Sequence, residues 1–329
     1  MNNYSTKKPF NGAVTGIATF AKCDLCTDIN HVEADIAVLG APFDIAIQGK
    51  SGARLGPRGI RISSTRFSYK SGGSYDPERD DTYMDRDLWR VVDCGDADYI
   101  PGDIESSNEN LTEAVKLLVE QDVFPAILGG DHSVTYPVLL GLEKLGEVNV
   151  LHIDAHLDWT ASVGSQTKSN GSPMRNGAAL PWIGKFIHLG IRGLGSSGPG
   201  DYADARAYGD TIYSVKDTRR IGVDKILEDL SAGSKVYVSI DIDGLDAAQA
   251  PATGSPIFGG FLYDDITEIL ERAAERFDIV GCDMVEVSPP YDDNAGTTCY
   301  LAARIVSDLL GFVTKARERR GIRGKFAGK

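Results

Sequence analysis

Apolar stretches of strand length alternate with amphipathic stretches of helical length along almost the whole chain. Several of the short stretches are apolar on both faces, which is typical of parallel strands buried between two layers of helices. The predicted strands are Ala34–Gly40, Val91–Cys94, Val123–Leu128, Val148–Asp154, Phe186–Gly190, Thr211–Val215, Lys235–Ile242 and Asp278–Val287. The predicted helices are Leu111–Gln121, Val134–Leu145, Val223–Ser231, Asp264–Arg276 and Thr297–Arg319. The alternation predicts an α/β fold with the sheet inside.

The sequence contains no linker, internal repeat or low-complexity segment, so residues 1–329 are interpreted as one domain. We expect residues 1–30 to form an N-terminal arm. The basic stretch 315–329 is predicted to be a solvated helix end followed by a frayed terminus, with a subunit contact as the alternative.

Composition excludes some classes of function. The net charge of −13 argues against nucleic-acid binding. No stretch reaches the ~20 apolar residues of a membrane span, and residues 1–10 lack the apolar core of a secretory signal. Five cysteines, an odd and sparse set, indicate reduced thiols in a cytoplasmic protein. Cys23 and Cys26 have the spacing of a metal or redox pair, but no second pair accompanies them.

Three short runs carry the side chains that could bind metal, and each run lies at the end of a predicted strand. They are Gly129–Ser133, Asp154–Asp158 and Asp241–Asp243. The candidate ligands are His132, Asp154, His156, Asp158, Asp241 and Asp243. Ligands of open α/β sheets gather at the carboxyl ends of strands. Nitrogen and oxygen donors without thiolate favour Mn, Ni, Co or Zn.

The spacing of these residues favours two ions over one. Asp154, His156 and Asp158 share one face of an extended chain but span roughly 13 Å, too far for a single ion. Two divalent cations about 3.5–4 Å apart could collect all three and would neutralise four carboxylates. Each run alone could be an ordinary turn, a helix cap or a solvated loop. Three of them at predicted strand ends favour a metal site.

The three runs resemble the signatures of the ureohydrolase family, which includes arginases and agmatinases. The resemblance extends from about Thr15 to Asp308. Supporting stretches are Gly40–Asp44, Gly52–Arg58, Gly190–Gly193, Ala250–Pro256 and Met284–Pro289. The first two are more similar to agmatinases and guanidino-acid hydrolases than to arginases.

The resemblance implies a three-layer α/β/α sandwich around a parallel β-sheet, assembled as a homo-trimer or a hexamer. It implies two divalent ions per chain, with Mn(II) the family default and Ni(II) the alternative. One ion would be held by His132, Asp154, Asp158 and Asp241, and the other by His156, Asp154, Asp241 and Asp243. Glu286 would receive the guanidinium group of the substrate.

The implied activity is hydrolysis of a linear carbon–nitrogen bond in a small cationic guanidine compound. Hydroxide formed between the two cations would attack the guanidinium carbon, and Asp158 would carry a proton to the leaving amine. The products would be urea, or a urea derivative, and an amine. Candidate substrates are agmatine-type compounds, guanidino acids, free guanidine and biguanides, ahead of arginine.

One position departs from the family pattern. Asn170 stands where the family commonly has a histidine that shuttles protons or contacts substrate, and an amide cannot titrate near neutrality. The chain could therefore be an active enzyme with a different guanidine substrate. The alternative is a catalytically impaired or partner-dependent subunit of an oligomer with a paralogous chain. The complete ligand set favours activity.

His152 and His188 are predicted to be buried structural residues.

Overall fold

The structure is a computed structural model that describes residues 12–67, 71–195 and 197–328. The first part of the predicted arm, residues 1–11, lies outside the described residues. The strands are β1 Asp24–Leu25, β2 Ile36–Gly40, β3 Ser74–Asp76, β4 Asp81–Tyr83, β5 Val91–Asp96, β6 Phe124–Leu128, β7 Val148–Ile153, β8 Ile183–Leu189, β9 Thr211–Tyr213, β10 Lys235–Asp241 and β11 Asp278–Val285.

Nine of these strands form one sheet in the order β1-β5-β2-β6-β11-β10-β7-β8-β9, and every pairing in it is parallel. β3 and β4 form a separate antiparallel hairpin. Because all nine strands run in one direction, their carboxyl ends lie along one edge of the sheet. Apart from the first residues of β10 and β11, the central strands are buried, as the doubly apolar sequence stretches predict.

Helices cover both faces of the sheet. They are α1 Gly56–Ser64, α2 Ile104–Glu120, α3 Thr135–Gly141, α4 Pro173–Ala178, α5 Pro199–Tyr208, α6 Val215–Ile221, α7 Val223–Leu227, α8 Tyr263–Arg276 and α9 Thr297–Arg319. One core packs α1, α7, α8 and α9 on the sheet through side chains such as Ile60 and Leu309. The other packs α2 and α3 on the opposite face through side chains such as Leu118 and Leu139. Each such side chain contributes about 1.5–3 kcal/mol of burial free energy. The predicted three-layer α/β/α sandwich is confirmed.

All eight predicted strands are present, with ends that differ by a few residues. The helix predictions need more correction. Four helices, α1, α4, α5 and α6, were not predicted, and neither were β1, β3 and β4. The helix predicted over Val134–Leu145 is α3 between two 3₁₀ turns, because Gly141 packs against Val115 and Gly146 ends the second turn with φ of +74°.

Hydrogen bonds connect the basic C-terminal stretch to the body of the protein. Arg320 donates to the carbonyl groups of Ala274, Glu275 and Phe277 over 2.8–2.9 Å. The ammonium group of Lys325 donates to the carbonyl of Asp122 over 2.7 Å. Carbonyl groups at the C-terminal end of a helix lack partners within the helix, and these basic side chains supply donors near the ends of α8 and α2. Among the described residues, no helix is long and apolar enough to cross a membrane.

Candidate metal centre and active site

The candidate ligands converge because their strands are neighbours. Strands β6, β11, β10 and β7 lie side by side in the centre of the sheet. His132 follows β6, the Asp154–Asp158 run follows β7, and Asp241 is the last residue of β10. Glu286 directly follows β11. All of the candidate ligands and Glu286 therefore meet at the carboxyl ends of four adjacent strands, as the sequence predicts.

One group of ligand atoms surrounds His132. Its Nδ1 atom lies 3.0 Å from Oδ2 of Asp154, 2.9 Å from Oδ2 of Asp158 and 3.3 Å from Oδ2 of Asp241. All four side chains are almost completely buried. No described residue makes a hydrogen bond of acceptable geometry to this nitrogen, although three carboxylate oxygens surround it.

A second group surrounds His156, which is the most accessible of the six. Its Nδ1 atom lies 3.1 Å from Oδ2 of Asp243 and 3.5 Å from Oδ1 of Asp154. Asp154 thus presents Oδ2 to the first group and Oδ1 to the second. This geometry suits a carboxylate that bridges two ions.

Backbone hydrogen bonds fix the directions of these carboxylates. The amide of His156 donates to Oδ1 of Asp154 over 2.5 Å, and the amide of Asp243 donates to Oδ1 of Asp241 over 2.7 Å. Asp158 has a φ of +53°, which is uncommon for a residue with a side chain. Its carbonyl accepts from the amide of Met174 in the first turn of α4 over 3.2 Å. Such local strain is frequent at functional sites.

The electrostatics of the cluster favour added positive charge. Burial, with the charge of Asp154, raises the pKa of Asp158 to about 6. Burial and the neighbouring Asp243 raise the pKa of Asp241 well above its usual value. Burial alone would lower the pKa of His156, but hydrogen bonds to Asp154 and Asp243 raise it to about 12. Asp158, Asp241 and His156 are thus shifted toward their protonated forms. Burial would raise the pKa of Asp154 too, but hydrogen bonds from His132, His152 and His156 hold it well below its usual value.

The residues fit a pair of divalent cations. Neighbouring ligands of an octahedral ion with bonds of roughly 2.1 Å are about 3 Å apart. The separations of 2.9–3.3 Å around Nδ1 of His132 match that spacing. Two groups of possible ligand atoms form within 4.8 Å: His132, His152, Asp154 and Asp158, and Asp154, His156 and Asp243. The first includes His152, which the sequence analysis had placed in the core.

Polar side chains inside the strands orient His132. Its Nε2 atom lies 2.9 Å from the hydroxyl oxygen of Ser239, which donates to Oδ1 of Asp283 over 2.8 Å. Asp283 also accepts from Tyr237 and Thr135. Sequence reasoning missed Ser239 and Asp283. The available signal was a buried serine and a buried aspartate inside otherwise apolar strands, because buried polar groups need partners.

Glu286 lies beside the cluster and is held by two donors. Its Oε1 atom accepts from the amide of His132 over 3.0 Å and from Nδ2 of Asn170 over 3.1 Å. Oδ1 of Asn170 in turn accepts from the amide of Gln48 over 3.2 Å. Burial, with the charge of Asp131, raises the pKa of Glu286 to about 8. Asn170 is thus brought to the acidic residue, as its place in the motif implies.

A cavity of about 70 Å³ opens above the cluster. Its lining residues are Gln48, Gly49, His156, Asp158, Asn170, Gly171, Asp241, Asp243, Ser255 and Glu286. No arginine or lysine is among these described residues. Gln48 and Ser255 were not predicted as site residues, although Ser255 lies in the Ala250–Pro256 stretch that carries the family resemblance.

Arg192 fixes the loop that follows β10. Its guanidinium group donates to the carbonyl oxygens of Gly190, Asp243, Gly244, Leu245, Ile257 and Phe258. A single side chain therefore holds several backbone carbonyl groups of the loop beside the cluster. The Gly190–Gly193 stretch was recognised in the sequence, but this role was not predicted.

A sequence model of the arginase family matches residues 34–311. The chain belongs to the arginase family. It is 33% identical over 282 residues to the mitochondrial guanidino acid hydrolase of Homo sapiens, covering 84% of this chain and 77% of the relative. It is 32% identical to the agmatinase of Edwardsiella ictaluri, covering 92% of this chain and 96% of the relative.

Solved structures of the arginase family have the same fold. The proclavaminate amidino hydrolase from Streptomyces clavuligerus superposes with a TM-score of 0.83 at 30% identity, covering 92% of this chain and 99% of that one. The predicted family, the arginase-like fold and the assignment to agmatinase-like hydrolases are confirmed. The structure contains a cluster that could bind metal.

Proposed function

We propose that this arginase-family protein is a binuclear metal-dependent amidinohydrolase that cleaves a guanidine compound into urea, or a urea derivative, and an amine. The observation that carries the proposal is that Asp154 presents one oxygen to His132 and the other toward His156. Two cations would then share this carboxylate. Mn(II) is the first candidate and Ni(II) the second, since nitrogen and oxygen donors accept both.

Each side chain has a role in this proposal. One ion is assigned to His132, Asp154, Asp158 and Asp241, and the other to His156, Asp154, Asp241 and Asp243. Bound divalent cations lower the pKa of water toward neutrality and so supply the nucleophile. Asp158 lies both in the ligand cluster and in the cavity wall. This position suits a group that passes a proton to the leaving amine.

Glu286 is the proposed receptor for the guanidinium group. Both of its hydrogen bonds end on Oε1, and Oε2 has no hydrogen-bond partner among the described residues. A planar cation can therefore donate to Oε2 through charge-assisted hydrogen bonds. Asn170 holds Glu286 in place and presents an amide where the family has a histidine. It does not carry a proton itself, since an amide does not titrate in this range.

The lining of the cavity favours small guanidine substrates in which the part beyond the guanidinium group is neutral or cationic. Its wall carries aspartates and a glutamate but neither lysine nor arginine among the described lining residues. A carboxylate on the substrate would find no counter-ion in that wall. Agmatine-type compounds, free guanidine and biguanides are thus favoured over guanidino acids.

The test is urea release by purified protein loaded separately with Mn(II) or Ni(II). The panel contains agmatine, free guanidine, dimethylbiguanide, 4-guanidinobutyrate, 3-guanidinopropionate and arginine, with the amine product measured alongside. We expect turnover of a compound without a carboxylate, and much weaker turnover by the Glu286→Gln variant. If protein that carries two ions per chain releases urea from none of the compounds, the proposal is contradicted and the partner-dependent subunit is favoured. We also propose that the protein assembles as a homo-trimer or a hexamer, and light scattering can measure the size of this assembly.

A further inference from the structure

His152, His188 and Asp210 are three buried side chains that do not line the cavity. They form a line of polar contacts that begins at Asp154 and runs from β7 toward β9. Nε2 of His152 lies 2.9 Å from Oδ2 of Asp154, and Nδ1 of His152 lies 2.8 Å from Nδ1 of His188. Nε2 of His188 lies 3.3 Å from Oδ2 of Asp210. His152 and His188 have no exposed surface, and Asp210 is 5% exposed. The proposed chemistry uses none of these three residues.

Strand pairing and neighbouring side chains fix the position of each of these three residues. His152 on β7 and His188 on β8 are direct partners in the parallel pairing. Asp210 precedes β9, and its Oδ1 accepts from the amide of Phe186 over 3.0 Å. The ring of Phe186 stacks on that of His188 with an interplanar angle of 5°. A neighbouring strand therefore sets each member in place.

The carboxylate of Asp154 determines which ring nitrogen of His152 carries the proton. An ionised carboxylate only accepts, so Nε2 of His152 carries the proton and donates to Asp154. Nδ1 of His152 is then an acceptor for a hydrogen bond from Nδ1 of His188 over 2.8 Å. Nε2 of His188 faces Oδ2 of Asp210 at 3.3 Å, so Asp210 holds the far side of the second ring.

We propose that His152 is a positioning residue that directs Oδ2 of Asp154 at the first ion, and that His188 and Asp210 hold His152 in its donor form. The proposal rests on the proposed metal site. Hydrogen bonds to a ligating carboxylate fix its orientation and tune the ion it holds, and their loss typically weakens metal binding roughly 10–100-fold.

The geometry separates this role from that of a ligand. His152 lies in the first group of possible ligand atoms, so direct ligation is the competing interpretation. Its Nε2 is, however, already within hydrogen-bond distance of Asp154. Nδ1 of His132 approaches the same Asp154 oxygen at 3.0 Å. The same oxygen therefore faces both the His152 donor and Nδ1 of His132, an atom assigned to the first ion.

The test measures metal affinity rather than activity. Apo wild-type protein and its variants are titrated with Mn(II) against a chromophoric chelator, and the electronic spectrum of the Co(II) form reports ligand geometry. His152→Phe keeps a ring but removes the donor. His152→Gln places an amide donor near the position of Nε2. Asp210→Asn keeps an acceptor for the amide of Phe186 but replaces the carboxylate that faces Nε2 of His188. His31→Gln is the control, because His31 contacts Asp28 at the surface over 3.0 Å.

We expect His152→Phe to bind two ions with affinity lower by roughly 10–100-fold and an altered Co(II) spectrum. His152→Gln should recover most of the loss, Asp210→Asn should lose affinity in the same direction, and His31→Gln should match wild type. Wild-type affinity in both His152→Phe and Asp210→Asn would overturn the inference, as would loss of exactly one ion in His152→Phe. If His152→Phe fails to fold, the rescue by His152→Gln and the loss in Asp210→Asn decide the matter. Wild-type protein that binds no metal would instead overturn the proposed function.

Discussion

The side-chain amide of Asn170 donates a hydrogen bond to Oε1 of Glu286 over 3.1 Å. Its carbonyl oxygen accepts from the backbone amide of Gln48, so Asn170 connects the loop after β2 to the acidic residue after β11. The position at which the family commonly has a histidine is therefore occupied by a residue that orients Glu286. This contact makes the substitution consistent with an active site rather than with a degenerate one.

Replacing Asn170 should affect catalysis more than metal content. Asn170→Ala removes one hydrogen bond to a buried carboxylate, and we expect kcat/KM to fall roughly tenfold or more, about 1.5–3 kcal/mol. Asn170→His should change the order of preference among the substrates. Steady-state kinetics across the panel, with metal content measured on the same samples, checks both. Unchanged kinetics in both variants would remove Asn170 from the site.

Glu286→Gln should leave metal binding intact while it greatly weakens substrate use. The amide keeps the shape but removes the charge that pairs with the guanidinium group, a loss of about 2–5 kcal/mol, or roughly 30- to 4000-fold in kcat/KM. Two ions per chain should remain. A variant that retains wild-type kcat/KM would show that another residue receives the guanidinium group.

The bridging assignment predicts that Asp154→Ala and Asp241→Ala each abolish metal binding and activity together. Each variant removes a carboxylate assigned to both ions, so neither ion keeps its full ligand set. Metal content after gel filtration provides the measurement, and Asp98→Asn on the exposed surface is the control. Two ions per chain in either alanine variant would contradict the assignment.

Arg192→Lys should destabilise the loop beside the cluster. The guanidinium group reaches six carbonyl oxygens, whereas an ammonium group has only three donors. Unsatisfied carbonyl groups should lower the free energy of unfolding by about 2–4 kcal/mol. Urea denaturation measures this change, with Arg323→Lys in the exposed C-terminal stretch as the matched control. Equal losses in the two variants would show that the Arg192 contacts contribute nothing specific.

Metal removal should lower thermal stability, because four buried carboxylates would then repel one another without cations between them. Binding to the folded state at 100 times the dissociation constant stabilises it by about 2.7 kcal/mol per site. Thermal unfolding before and after chelation, and again after Mn(II) or Ni(II) is restored, measures the effect. A melting temperature that does not change on chelation or reloading would argue against these ions as ligands of the native state.

The sequence predicted which side chains meet at the strand ends better than it predicted the helices. The candidate ligands follow the i, i+2 spacing at the ends of buried strands, and both the spacing and the strands can be recognised locally. Helices α1, α4 and α5 were missed although each has proline in its first turn, a usable start signal. The cavity residues Gln48 and Ser255 could not be assigned by spacing, because only the fold brings those loops to the ligands. The contacts that join His152, His188 and Asp210 depend on the register of the strands, which the sequence alone does not provide.

Two ions per chain can be tested by titrating metal-free protein with Mn(II) or Ni(II) while urea release from its best substrate is measured. Turnover should rise until two ions are bound per chain and then stay constant. Full turnover at one ion per chain, or turnover by metal-free protein, would contradict a binuclear amidinohydrolase.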